Sequence, residues 1–127
     1  MSTHYKLNSF VPPLQHCRTT VGTIDDTDTF AYFSNYGECV EIQAPGVNIM
    51  SAWLNSGKAI LSGISMASPQ VAGIAAKAMG EIYKNTTEVP TPQDVEDVMV
   101  KEATEGMINN LPKPGVTPNL LVLMECA

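Results

Sequence analysis

Residues Ser62 to Gly73 read SGISMASPQVAG, and this stretch decides how the rest of the chain is read. A glycine turn comes first, then a serine, then an alanine-rich run of helical character. Gly63 has no side chain, so the backbone can turn sharply there without a clash. Ser65 follows where a helix begins. The opening N–H groups of a helix have no partner inside it, and the helix dipole is positive at that end. A hydroxyl placed there is either a cap for those groups or a nucleophile whose developing negative charge they stabilise. Taken alone, a Gly-x-Ser turn before a helix fits a capping serine better than a catalytic one. Pro69 is expected in the opening turn, where its missing N–H is not needed.

The helix that follows is predicted over Met66 to Lys84. Its polar residues Gln70, Lys77, Glu81 and Lys84 are spaced 7, 4 and 3 apart, which places them in one narrow stripe. The rest of its circumference is apolar or small, including Ala72, Gly73, Ala75 and Ala76. A helix of this kind is expected to be buried on most sides. The chain offers few elements to cover it: about four strands and one further helix, Pro92 to Thr104, capped by Thr91 with Asp94 and Glu96 in the first turns. The balance implies that the chain is part of something larger.

Ahead of the serine, Thr20 to Ile24 is short and β-branched, as a buried strand would be. Asp25 to Asp28, DDTD, reads as a solvated acidic loop. Phe30 to Gly37 runs into an Asn-Tyr-Gly turn, and Cys39 to Gly46 is a strand stopped by Pro45-Gly46. Val47 to Leu54 and Lys58 to Ser62 are predicted to form a hairpin across Asn55-Ser56-Gly57. Residues 1–19, with Pro12 and Pro13, read as an irregular arm.

The 127 residues suffice for one modest domain. Seven basic and thirteen acidic residues give a net charge of −6, which argues against nucleic acid or an anionic membrane as partner. No stretch approaches a transmembrane span, and the N-terminal residues lack the apolar run of a signal peptide. Cys17, Cys39 and Cys126 leave both one disulfide with a free thiol and three thiols open.

SGISMASPQVAG closely resembles the nucleophile segment SGTSMA[ST]PHVAG of the subtilisin-like serine proteases, the subtilases. Ile64 stands in place of the family's threonine and Gln70 in place of a histidine that is not its catalytic one. The preceding block, TVGTIDDTDTFAYFSNYGECVEIQAPGVNIMSAW, is similar to the family's TVGA…FSNYG…V(D/E)I.APG..I.S.W, in the same order. GVTPNLL (Gly115 to Leu121) is similar to the closing GT.NLL of the proteinase-K-like branch. The resemblance implies an α/β fold: the C-terminal part of a subtilisin-like three-layer architecture, with a few strands and a buried helix after the nucleophile turn. It implies a partial catalytic domain over residues 20–127.

For function, the resemblance implies a serine endopeptidase. Ser65 would be the nucleophile, in a turn made by Gly63, Ile64, Met66 and Ala67. The family's triad aspartate and histidine, and the asparagine of its oxyanion hole, belong to motifs upstream of the matched segment, and none has a counterpart in residues 1–19. His4 and His16 are the chain's histidines, and neither occupies a base position. The chain alone is therefore expected to be nearly inert, and a peptide or protein substrate is expected only if an upstream half completes the site. The resemblance also makes calcium a weak expectation, at Glu41. The family is usually secreted; no compartment follows for this chain. A second reading is a non-catalytic subtilase remnant that binds a partner or acts as a decoy. A third, an esterase with a nucleophile elbow, fails because Ala67 replaces the required glycine and no histidine follows Ser65.

Overall fold

The computed structural model describes residues 18–123. The arm expected over residues 1–19 lies almost wholly outside them, and so do His4, His16, Cys17 and Cys126. The described chain is α/β. Strands β1 (Val21–Ile24) and β2 (Ile42–Pro45) lie parallel. A hairpin follows, β3 (Ile49–Trp53) and β4 (Gly57–Leu61), then helices α1 (Ile64–Thr86) and α2 (Pro92–Glu102). Two short strands close the order, β5 (Thr104–Glu105) and β6 (Leu120–Leu121). The main sheet runs β1-β2-β6-β5, with β6 parallel to β2 and antiparallel to β5.

Side chains alternate across a sheet. Val21, Ile42 and Ala44 therefore share the face on which α1 packs, through Ala67, Val71, Ile74 and Ala78, and α2 adds Val95 and Met99 to the same core. On the opposite face Gln43 lies over Gly22; a Cβ on Gly22 would stand 1.9 Å from the Gln43 Oε1 atom. The loop after β1 folds back along the free edge of that strand. Thr23 gives its N–H to Ser34 Oγ at 2.7 Å and its carbonyl accepts the Ala31 N–H at 3.1 Å. The partners of the Thr23 backbone N–H and carbonyl thus come from the FAYFSNYG segment, which forms turns rather than a strand.

Several expectations are adjusted. β2 starts at Ile42, not Cys39, because the Val40 N–H closes a turn onto the Gly37 carbonyl at 3.2 Å. In the hairpin the left-handed positions fall on Asn55 (φ 55°) and Ser56 (φ 59°), and Gly57 begins β4. α2 ends at Glu102, since Thr104 is drawn into β5 opposite Leu121. Its start is as read: Thr91 caps Asp94, and the Asp94 carboxylate takes the Thr91 N–H at 2.8 Å, a complete capping box.

The larger difference concerns α1. Only one stripe of it is buried, Ala67, Val71, Ile74 and Ala78. Ala72, Gly73, Ala76, Met79, Gly80 and Tyr83 face solvent. The apolar circumference predicted burial on most sides, and the described elements cover just one. The hairpin is equally bare: Met50, Trp53, Leu54 and Ile60 are all exposed, Leu54 by 76%. No helix among the described residues is long and apolar enough to cross a membrane.

Candidate active site

The carboxyl ends of β1 and β2 meet at one edge of the sheet, the place where parallel α/β sheets hold their sites. The Gly46 N–H bonds the Ile24 carbonyl at 3.0 Å, joining the two strand ends. The Gly46 carbonyl in turn accepts the Gly63 N–H at 2.8 Å, which brings the start of α1 to that same edge. The approach is close. A Cβ on Gly46 would stand 1.9 Å from Thr23 Oγ1 and 2.8 Å from the Gly63 carbonyl oxygen.

At Gly63 the backbone is nearly extended (φ 158°, ψ 164°) and becomes helical at Ile64. Gly63 itself is the N-cap and supplies no side-chain bond to the helix. Ser65 is therefore not the cap; it is the second helical residue, and it is exposed. The first turn of α1 holds no acidic residue to offset the positive end of the helix. Met66 returns its N–H to the Gly63 carbonyl at 3.0 Å, and Ala67, fully buried, fixes the turn to the core. An exposed hydroxyl over uncapped helix N–H groups can attack an electrophile and have the resulting oxyanion stabilised.

Pro69 lies in the second turn, as the sixth helical residue, not in the opening one. Without an N–H it cannot bond the Ser65 carbonyl four residues back. Gln70 braces the helix beside this gap: its Nε2 donates to the Pro45 carbonyl at 2.6 Å and to the Met66 carbonyl at 2.9 Å. Neither role is visible in the sequence, where Gln70 reads as part of a polar stripe and, in the resemblance, as a replacement for histidine. An Ala-Pro-Gly turn preceding a Gly-x-Ser turn is the one signal that two backbones approach closely here.

The remaining candidates lie apart from Ser65. No histidine falls among the described residues. Asp25 follows β1 at the carboxyl edge, yet its Oδ1 is occupied by Thr27 Oγ1 and by the N–H groups of Thr27 and Thr29. Those bonds, the Thr27 hydroxyl foremost, hold its carboxyl below the ordinary aspartate value. Glu41 sits at the opposite end of the strands and takes the Thr20 N–H on Oε2. No group of three histidine, cysteine, aspartate or glutamate side chains that could hold a metal occurs among the described residues. Glu41 belongs to no such group among the described residues. Two open concavities, of about 550 Å³ beside Ile108 and Val116 and about 420 Å³ on the hairpin beside Trp53, do not include Ser65.

The chain was compared with known proteins. The model of the subtilase family matches residues 17–117. The subtilisin-like serine protease Pen c 2 of Penicillium citrinum is 38% identical over 119 residues, covering 89% of this chain and 26% of that protein. The subtilisin-like proteinase Spm1 of Pyricularia oryzae is 41% identical over 108 residues, covering 80% of this chain and 20% of that protein. A cold adapted subtilisin-like serine proteinase of known crystal structure superposes with a TM-score of 0.69 at 35% identity, over 84% of this chain and 37% of that one. The chain spans about a quarter of the length of the curated relatives it matches.

Proposed function

The chain belongs to the subtilase family, and on that premise we propose that it is the C-terminal, nucleophile-bearing part of a subtilisin-like serine endopeptidase. Ser65 is the nucleophile and residues 20–127 are the segment of the catalytic domain. The observation that carries this reading is the exposed Ser65 hydroxyl in the first, uncapped turn of α1, tied through Gly63 and Gly46 to the carboxyl edge of the parallel strands.

In this reading Ser65 Oγ attacks the scissile carbonyl of a peptide or protein. The carbonyl oxygen gains negative charge, and the Ser65 backbone N–H at the positive end of α1 is one donor toward it. Gly63 and Ile64 make the entry to the helix, and Met66 and Ala67 hold the turn from below. The proton leaving Ser65 needs a histidine base oriented by a carboxylate. Those groups, with a second oxyanion donor, come from an upstream part of the catalytic domain, which also supplies most of the peptide-binding surface. The exposed hairpin and the bare face of α1 are the surfaces such a part would cover.

A fluorophosphonate probe tests this. The chain is labelled alone and after co-folding with the upstream portion of one of the fungal relatives, each beside Ser65→Ala. The expected result is background labelling of the chain alone and labelling of the pair that Ser65→Ala abolishes. A folded pair that leaves Ser65 unlabelled refutes the assignment. Ser65-dependent labelling of the chain alone would place the base within this sequence, at His4 or His16.

A further inference from the structure

We propose that Gln70 is a positioning residue that sets where Ser65 stands relative to the sheet. The inference rests on Ser65 being the nucleophile. Its physical basis is a break in the backbone ladder of α1. Pro69 offers no N–H, so the Ser65 carbonyl lacks its usual donor four residues on, and the turn carrying Ser65 is held to the helix body by one regular bond fewer. That turn also has no side-chain cap in front of it. Left so, it would be the part of α1 most free to fray.

The Gln70 amide does not reach the Ser65 carbonyl; it braces the turn at the carbonyl next to it and ties it to the sheet. One hydrogen of its Nε2 goes to the Met66 carbonyl, inside the weakened turn, and the other goes to the Pro45 carbonyl, at the end of β2. The next residue after Pro45 is Gly46, whose carbonyl holds the Gly63 N–H. Two clamps therefore fasten the turn to the strand end at adjacent residues, one through backbone and one through Gln70. The side chain is half-buried, which limits competition from water. A primary amide is the side-chain group suited to this place. It gives two hydrogens to two carbonyls from one nitrogen and stays neutral at every pH.

Amide hydrogen exchange, resolved by residue on the full chain, tests the clamp. The reporters are the N–H groups of Gly63 and Met66, and the controls are those of Ala78 and Met99, in the core away from the break. Gln70→Leu keeps the volume and removes both bonds. It should lower protection at Gly63 and Met66 about tenfold and leave Ala78 and Met99 unchanged. Gln70→Glu adds a readout that packing alone would not move. Near pH 3 its protonated carboxyl can donate one hydrogen; near pH 8 its carboxylate repels both carbonyls. Protection at the two reporters should therefore collapse between those pH values in Gln70→Glu and not in the parent chain.

Unchanged protection at Gly63 and Met66 in Gln70→Leu overturns the inference. If Gln70→Leu loses protection everywhere, Gln70→Glu decides: a pH-dependent loss confined to the reporters upholds the clamp, and a parallel loss at Ala78 and Met99 overturns it. Exchange does not depend on hydrolysis. Failure of Ser65 to label in a folded pair would remove the protease assignment and leave these exchange results to judge the clamp separately.

Discussion

Replacing Gly46 by alanine is the sharpest single perturbation of the site. The added Cβ meets Thr23 Oγ1 at 1.9 Å and the Gly63 carbonyl oxygen at 2.8 Å, so something must move. Thr23 is fully buried and its hydroxyl donates to the Ala44 carbonyl at 3.1 Å. Rotating it away gives up a buried hydrogen bond, about 1 kcal/mol. Overpacking of a filled interior adds about 1–3 kcal/mol. The sum, about 2–4 kcal/mol, is a large share of the ~5–15 kcal/mol that holds a domain together. Urea unfolding of Gly46→Ala should show a midpoint lowered by about 1–2 M at an unchanged slope. Removing the obstructing atom should rescue part of it, so Gly46→Ala with Thr23→Ala should be less destabilised than the two single losses added together. A Gly46→Ala chain within about 0.5 kcal/mol of the parent, or strictly additive losses, would refute the claim that the two turns are in contact at this residue.

Other outcomes follow from the same structure. Met99→Ala, at a position 3% exposed between α2 and α1, should cost about 2–4 kcal/mol in urea unfolding, whereas Ala72→Ser on the bare face of α1 should stay within about 0.5 kcal/mol. The Asp94 carboxyl is held below the ordinary aspartate value by the Thr91 hydroxyl and N–H. A depressed folded value stabilises above the unfolded one and is lost as pH falls through it, so the cap of α2 should weaken on strong acidification. Thr91→Val should raise the Asp94 titration toward the ordinary value by NMR and flatten that acid limb. Trp53 is the only tryptophan and is 54% exposed, so its emission should be red-shifted and readily quenched by acrylamide in the chain alone. Co-folding with an upstream portion that covers the hairpin should shift the emission to the blue and protect it.

Local signals served well where one residue type decides one geometry. Thr91 with Asp94 announces a helix start, Pro45-Gly46 a strand end, and β-branched Thr20 to Ile24 a strand. The apolar ring around α1 predicts burial on most sides, yet the described elements bury one stripe, and periodicity carries no information on which elements do the covering. β5 and β6 escaped because two-residue strands carry no period; they exist through pairing with each other and with Gln43. At the site, the glycine–serine turn was legible because backbone chemistry dictates it. The close approach of Gly46 to Gly63 and the bridging by Gln70 were not, since both depend on residues 17 and 25 positions apart in the chain meeting at one sheet edge.

The uncovered side of α1 has a consequence for control. Ser65, Ala72, Ala76, Met79 and Tyr83 are all exposed and follow one another at intervals of 7, 4, 3 and 4, so they share one face of the helix. The Ser65 hydroxyl and the apolar strip are thus two ends of a single surface. Whatever is drawn to the strip by hydrophobic burial arrives with its edge beside Ser65. Under the proposed assignment, an upstream part that covers the strip brings its groups to Ser65 in the same step, so completion of the site scales with concentration and affinity.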